Sequence, residues 1–423
     1  MRLERRAAAM SAVAQTEPDA PPRRPSATAG PDVRRAGPAH LAAQLGAVRQ
    51  LTLALFAGWE QALPALEVPL HPELNPPLWE LGHVGWFQEF WTTRNPQWRR
   101  GAAADPQAAR PAPRWPQADA LYHSGQVPQA ARWTLPLPAA ATTRALLAQQ
   151  LDDCLALLRG AGDDDAALYF FRLALLHESM HAEAARYMAQ AFGIALPERA
   201  PRRRAGALAA LHVPAQSLAL GQAGGGFAFD NEQPAQPVTL ASFEIDAQVR
   251  RWRDFLAFVD DGGYAEPQWW SAAGRAWLAA GARRAPRYLR RCDGQWQELL
   301  GGRWQRLDLE LPACHLSLHE AQAWCAWAGR RLPTEAEWEC AAHGGGARFA
   351  WGEVWEWTAS AFAPYPGFVP HPYRDYSEPW FGTHQVLRGA SLATPPWLHD
   401  ARFRNFYLPD RNDLYAGFRS CAR

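Results

Sequence analysis

The chain has 423 residues, 48% hydrophobic and 20% charged, with a formal net charge of +1; this allows two domains with separate cores and gives no electrostatic reason to expect nucleic acid or an anionic membrane as a partner. All 43 basic residues are Arg, which excludes Schiff-base and lysine-nucleophile chemistry. The six cysteines are scattered without a CxxC pair, a pattern that fits neither a disulfide framework nor a structural zinc site.

Residues 1–37 are rich in Ala, Pro, Ser and Arg and have no continuous apolar run. They read as a disordered leader of a cytoplasmic protein, not as a signal peptide, and no stretch approaches transmembrane length. Residues 38–196 read as a helical bundle. The stretch 40–63 carries Leu41, Leu45, Val48, Leu51 and Leu55 at helical spacing. A second helix over 74–92 is entered through Asn75-Pro76-Pro77, since proline is tolerated at a helix start. A Pro-rich connection, 101–138, looks irregular; helices over 142–159 and 163–192 follow. Four helices with one long crossover suggest a bundle.

Residues 197–210 read as a linker. Beyond it, over 211–423, Gly, Pro and Trp increase and apolar runs shorten to strand length, as at 236–245 and 386–392. Helices are expected over 250–260 and over 317–328, the latter capped by Ser317 with Glu320 three residues on. The whole reads as an irregular α+β domain with long loops rather than regular hairpins.

The sharpest local feature is His177-Glu178-Ser179-Met180-His181. Two His at i and i+4 share a helix face, so both imidazoles reach one ion. A zinc protease would use Glu178 as base and needs a further ligand; this chain has Ala184 and Tyr187 where the extended motif places Gly and His. On a bundle helix such a pair is otherwise a satisfied polar face. His83, in the apolar string Leu81-Gly82-His83-Val84-Gly85-Trp86-Phe87, offers a third imidazole from another helix. A three-His site with open positions suits Fe(II) with substrate and O2, and equally zinc with water.

These strings resemble the DinB-like helical half of the iron enzymes of ergothioneine biosynthesis. The second half is similar to the formylglycine-generating-enzyme/sulfatase-modifying-factor fold, a C-type-lectin-like α+β domain. The strings that carry this are Phe229-Asp230-Asn231-Glu232, Arg330-Arg331-Leu332-Pro333-Thr334-Glu335-Ala336-Glu337-Trp338-Glu339, Gly352-Glu353-Val354-Trp355-Glu356-Trp357-Thr358, Leu387-Arg388-Gly389-Ala390-Ser391 and Ala416-Gly417-Phe418-Arg419. The resemblance implies Fe(II) on His83, His177 and His181, O2 as co-substrate, and hercynine (trimethylated histidine) coupled at its imidazole C2 to a sulfur or selenium donor. It implies Tyr373, in Pro372-Tyr373-Arg374-Asp375-Tyr376, as proton and electron donor, with Tyr376 beside it in the pocket. A quaternary ammonium is held by aromatic faces, for which Trp380, Phe381, Phe406 and Tyr407 are candidates; packing in an aromatic-rich loop is the plainer role of any one of them.

The chain departs from the sulfoxide synthases of that family at two points. Met180 stands where they carry a substrate-contacting Gln, and a thioether is a weak acceptor. In Arg404-Asn405-Phe406-Tyr407, Tyr407 stands where they carry an Asp that pairs with the donor's ammonium. A neutral, hydroxyl-rich donor does not need that charge, and with Asn405 the segment resembles the branch that couples hercynine to a selenosugar. A hercynine sulfoxide synthase using cysteine or another thiol is the alternative, since cysteine-using relatives also lack the Asp; a non-catalytic lectin-like binding protein is a second. A formylglycine-generating oxidase would need reactive Cys within 402–416, where there is none.

Overall fold

The computed structural model describes residues 32–197, 202 and 209–423. Helix α1 (Pro38–Ala62) and helix α2 (Pro77–Trp91) both begin on proline, whose missing N–H is not needed in a first turn. Helix α3 (Ala118–Tyr122) is short and lies within the crossover. Helices α4 (Ala140–Arg159) and α5 (Asp165–Ala191) complete the bundle, and Asp164 Oδ1 caps α5 by accepting from the Ala167 N–H at 2.9 Å. The four long helices agree with the apolar spacing. The crossover does not: besides α3 it carries one-turn helices at Trp98–Ala103 and Gln129–Trp133, too short to show a helical period.

Along α5 most residues are buried, so its polar groups need partners. Glu178, 1% exposed, is clamped by Arg49 of α1, with Nε to Oε1 at 2.7 Å and Nη2 to Oε2 at 3.0 Å. Contrary to the sequence expectation, α1 is by length and composition apolar enough to cross a membrane, because Ala and Leu dominate it. Leu41, Leu45, Val48 and Leu55 of that helix are buried within the protein.

Residues 1–31 of the expected leader lie outside the described residues, but 32–37 are packed rather than disordered. Val33 is 1% exposed, and Arg34 donates to both Glu232 oxygens at 2.6 and 2.9 Å. Its carbonyl accepts from the Phe227 N–H at 2.7 Å. One arginine whose partner is far along the chain leaves no local pattern to read. Most of the expected linker is likewise outside the described residues; within it, Arg202 pairs with Glu298 at 2.6 Å.

The second half is the expected α+β domain. Strands β1 (Ala210–Val213), β2 (Gln216–Leu220), β3 (Gln236–Leu240) and β4 (Phe243–Asp246) form two antiparallel pairs, β1 with β4 and β2 with β3. The run 236–245 is therefore two strands in different sheets. Helices α6 (Trp252–Asp260) and α7 (Ala272–Gly281) follow. Strands β5 (Leu289–Cys292), β6 (Gln295–Leu300) and β7 (Arg303–Arg306) then form a regular antiparallel meander, where long loops were expected. Its turns are Asp293-Gly294 and Gly301-Gly302, all four at positive φ, as two-residue hairpins require. Helix α8 (Leu318–Trp327) carries the expected Ser317/Glu320 capping box, and α9 (Glu335–Gly345) a second one from Thr334 and Glu337.

Strands β8 (Trp355–Ala361), β9 (Gln385–Gly389), β10 (Asn405–Tyr407) and β11 (Ala416–Gly417) make a sheet of order β10-β9-β8-β11. The strings that carry the family resemblance meet here as buried ion pairs. Arg388, fully buried, reaches Glu335 at 2.8 Å and Glu339 at 2.9 Å; Arg404 reaches Glu335 at 2.8 Å; Arg419 pairs with Glu356. Each buried charge needs its partner, so these residues hold the scaffold.

Glu183 of α5 joins the two halves. Its Oε1 accepts from Trp355 Nε1 at 2.7 Å, Ser391 Oγ at 2.6 Å and Thr394 Oγ1 at 2.9 Å. Glu183→Ala leaves the Trp355 indole N–H without an acceptor and reduces the Ser391 and Thr394 hydroxyls to bonding each other. It should lower unfolding free energy by roughly 2–4 kcal/mol, read as a lower urea midpoint; an unchanged midpoint would mean that the interface does not depend on it.

Candidate metal centre

His177 and His181 are one helical turn apart on α5, and His83 faces them from α2. Ring centroids lie 4.4 Å apart for His177 and His181, 5.1 Å for His83 and His177, and 4.9 Å for His83 and His181. One nitrogen from each lies within 4.8 Å of the other two, with the Nε2 atoms of His177 and His181 at 3.2 Å.

What turns these nitrogens inward is the set of partners behind them. His83 Nδ1 is 2.8 Å from the Tyr122 carbonyl, which only accepts, so Nδ1 carries the proton. Short helix α3 brings that carbonyl into place. His181 Nδ1 contacts the Glu80 carboxylate, itself 2% exposed and held by Asn75 Nδ2 at 2.6 Å. Burial opposes the Glu80 charge, but His181, His83 and the Asn75 amide together outweigh it and bring the carboxyl down to about 2. Glu80 is thus ionised and accepts. Both Nε2 lone pairs therefore point into the cluster. His177 is stacked on Phe87 with centroids 3.4 Å apart, and its buried Nδ1 has no hydrogen-bond partner among the described residues.

Burial first, then the neighbouring imidazoles, lower His83 to about 3 and push His177 well down. The Nε2 atoms of His177 and His181 are at hydrogen-bond distance, so either a proton shared between them or a cation among the three rings satisfies these nitrogens. The donor set fits a divalent metal of borderline character, with ligands from two helices and one accessible edge along His181, whose side chain is 19% exposed. Glu178 points away to Arg49 and is not available as a base, which removes the zinc-protease arrangement. Cys421 is buried, and burial pushes its thiol up to about 12, which does not suit thiol chemistry.

Of the aromatic residues picked out from sequence, Tyr373 is in ring contact with a histidine of the cluster, its ring 4.9 Å from Phe87 and 6.0 Å from His177. Tyr376 is 5.9 Å beyond Tyr373, and Phe406 5.7 Å beyond Tyr376. Met180 is partly buried beside His181, and Asn405 Oδ1 accepts from the Phe406 N–H at 3.0 Å. Tyr407 has Arg411 over its ring at 5.4 Å. Trp380 and Phe381 are not brought in: Trp380, 41% exposed, packs on His384, and Phe381 on Phe362 and Phe368. Aromatic composition alone does not say which rings face a site. Sequence reasoning missed Glu80, Asn75 and the Tyr122 carbonyl; the carboxylate three residues before His83 is visible, but its partner is His181, 101 residues on.

Residues 44–190 match the DinB superfamily and residues 196–353 the sulfatase-modifying factor enzyme 1-like domain. The hercynine oxygenases of Mycolicibacterium smegmatis and Mycobacterium tuberculosis are each 31% identical to this chain, over 90% of its length and 97% and 98% of theirs. The formylglycine-generating enzyme of Streptomyces coelicolor is 30% identical over 53% of this chain and 91% of its own.

Two outcomes are expected. Glu80→Gln should weaken metal binding about 10–100-fold, measured by chelator competition, because a neutral amide holds His181 less firmly; unaltered affinity would show that Glu80 does not orient the ligand. In the metal-free protein, His83 has a folded value of about 3 against about 6.5 unfolded. Its contribution to stability is complete above pH 6.5 and falls as pH drops toward 3, by about 2 kcal/mol at pH 5. Denaturant midpoints from pH 7 to 5 check this, with His83→Phe expected to flatten the dependence.

Proposed function

The chain belongs to the hercynine oxygenase family, and on that premise we propose that it is an iron- and O2-dependent oxidoreductase that joins selenium from a selenosugar to the imidazole C2 of hercynine. His83, His177 and His181 would hold the iron. The observation that carries this is the inward convergence of three imidazole nitrogens, two of them fixed from behind by Tyr122 and Glu80. When bound, iron supplies the one-electron chemistry by which O2 reacts with substrates that have no unpaired electrons. Forming the C–Se bond replaces a C2–H and an Se–H bond; the two protons and two electrons released go to O2.

Tyr373 would hold a proton at this site. Burial raises its phenol well above the ordinary range, and the hydroxyl is hydrogen-bonded to Ser124. A phenol kept neutral beside Phe87 and His177 gives up a proton and an electron together more readily than a proton alone. Tyr376 and Phe406 present aromatic faces suited to a trimethylammonium group, and Met180 and Asn405 would complete the hercynine wall.

Support for a neutral donor comes from the surroundings of Tyr407. The carboxylates near it are occupied: Asp413 binds Arg411 through both oxygens at 2.6 and 2.7 Å, and Glu73 lies 3.4 Å from the same guanidinium. The ammonium of an amino-acid thiol would meet Arg411 and no open carboxylate, at a cost of several kcal/mol when buried. A sugar meets the hydroxyls of Tyr407 and Tyr187, which hydrogen-bond to each other.

Tyr373→Phe should still bind hercynine but slow or divert product formation; an unchanged product profile and turnover would remove Tyr373 from the chemistry. With Fe(II), O2 and hercynine, direct competition of selenosugar, thiosugar, cysteine and γ-glutamylcysteine should give the highest kcat/KM for the selenosugar, read by mass spectrometry. A higher value for cysteine makes the protein a hercynine sulfoxide synthase. Absence of hercynine-dependent O2 uptake with every donor would leave a binding protein.

A further inference from the structure

A cavity of 380 Å³ lies between the end of α5 and the second half of the chain, a size within the roughly 300–1,000 Å³ of small-molecule sites. Arg186, Ala189 and Gln190 of α5 line one side, the β5–β7 meander and Trp252 of α6 the other. At about 100° per residue, Gln190 lies about 180° round α5 from His181, so the cavity faces away from the metal centre. Its surface is largely aliphatic, from Ile194, Leu196, Leu289, Leu299 and Leu311.

Most polar groups of the lining are satisfied. Gln190 donates to the Leu299 carbonyl at 2.7 Å and accepts from the Gly301 N–H at 3.0 Å. Arg202 holds Glu298 through both oxygens at 2.6 and 2.8 Å, Arg186 donates to the Ala393 carbonyl at 2.8 Å, and Arg287 to Asn412 Oδ1 at 3.2 Å. Trp252, Tyr288 and His315 are the exceptions. The indole N–H of Trp252, 2% exposed, has no acceptor among the described residues. The Tyr288 oxygen meets the Arg287 guanidinium, which only donates, so the buried phenol proton has no acceptor there either. Burial, then Arg287, lowers His315 to about 4, and its ring is hydrogen-bonded to the Asp413 backbone. A neutral ring that donates to that carbonyl leaves the buried Nδ1 as a bare lone pair. The Tyr288 and His315 rings touch, with centroids 4.9 Å apart. Both residues have left-handed backbone, φ 63° and 58°, which side chains of this size adopt rarely and chiefly at functional sites.

We propose that this cavity is a second binding site, for a small aliphatic molecule whose uncharged head both accepts and donates a hydrogen bond, as a primary amide or an alcohol does. The head oxygen takes the Tyr288 proton, its own N–H or O–H meets His315 Nδ1, and the chain lies along the leucines. The competing occupant is an aliphatic acid drawn by Arg287. Its carboxylate satisfies Tyr288 but brings no hydrogen for Nδ1. The charges of the lining are also already engaged, Arg202 with Glu298 and Arg186 and Glu353 with partners of their own, so a further buried charge is costly. Because the walls come from both halves of the chain, an occupant ties α5 to the meander.

The test uses the full-length iron-loaded protein with octanamide, 1-octanol and octanoate as probes, read by calorimetry and by melting temperature. Octanamide and 1-octanol should bind once per chain and raise the melting temperature as their concentration rises. Octanoate should bind at least ten-fold more weakly. Tyr288→Phe and His315→Phe keep a ring and lose the polar atom, so each should weaken octanamide at least five-fold. Leu299→Trp fills the cavity from the meander and should abolish binding, which keeps the test open if a ring variant misfolds. The His177→Ala/His181→Ala variant should bind octanamide as the parent does, since the metal centre lies on another face of α5. No saturable octanamide binding, or unchanged affinity in the folded ring and Leu299 variants, overturns the site. Tighter binding of octanoate overturns the uncharged head, and loss of octanamide binding in the double histidine variant moves the ligand to the metal centre.

Discussion

Three buried imidazoles, each with a nitrogen within 4.8 Å of the other two, are an arrangement that proteins do not adopt without support, because each ring nitrogen taken out of water needs a partner. Here the support is assembled from behind the rings. The Tyr122 carbonyl and the Glu80 carboxylate fix the protons of His83 and His181 on the outer nitrogens, and Asn75 steadies Glu80. Several otherwise odd features of the helical half follow from this. A five-residue helix interrupts a long crossover because its carbonyl is needed beneath His83. Arg49 takes Glu178 out of the cluster, so among the described residues the carboxylate in contact with the histidines is the one that orients them. Burial and the neighbouring imidazoles keep His83 and His177 neutral, His83 against the opposing pull of Glu80 and Tyr122, and neutral is the state in which they can bind a cation.

The second domain contributes differently. Its most recognisable strings form buried ion pairs that lock sheet to helix, and the residues it sends toward the histidines come from the irregular segments between them. Tyr373 and Tyr376 sit on a loop and Asn405, Phe406 and Tyr407 on a three-residue edge strand. A rigid scaffold with variable loops can change substrate while keeping the helical half that carries the three histidines as it is. Glu183 fixes the relation of the two halves at one buried point, two residues along α5 from His181.

Much of this was legible in the sequence where a local period or fixed spacing carried it. The four long helices follow from apolar spacing, the His177–His181 pair from the i, i+4 rule, and the cap of α8 from Ser317 and Glu320. The meander was also written, in Asp293-Gly294 and Gly301-Gly302, but its strands mix Arg, Gln and Trp and hide the alternation. Helix α9 was visible only as part of a family string, although Thr334 and Glu337 are a start signal. What could not be read are partnerships across the chain: Glu80 with His181 and Arg34 with Glu232. Trp380 and Phe381 were picked out by residue type, which does not reveal which way a loop turns; they reach Phe406 through His384 and Phe362.

The Arg34–Glu232 pair also bears on how the protein is made. The two residues are 198 positions apart, and a ribosome adding about 5–20 residues per second takes roughly ten to forty seconds to get from one to the other. By the end of that interval the helical half has been made and Arg172 can hold the Ala36 carbonyl, but Arg34 still lacks its carboxylate. A buried guanidinium that must wait for its carboxylate stays in water until the partner arrives. The first domain therefore finishes its surface only after the second has begun to fold, and the chain's earliest docked segment is among the last to be secured.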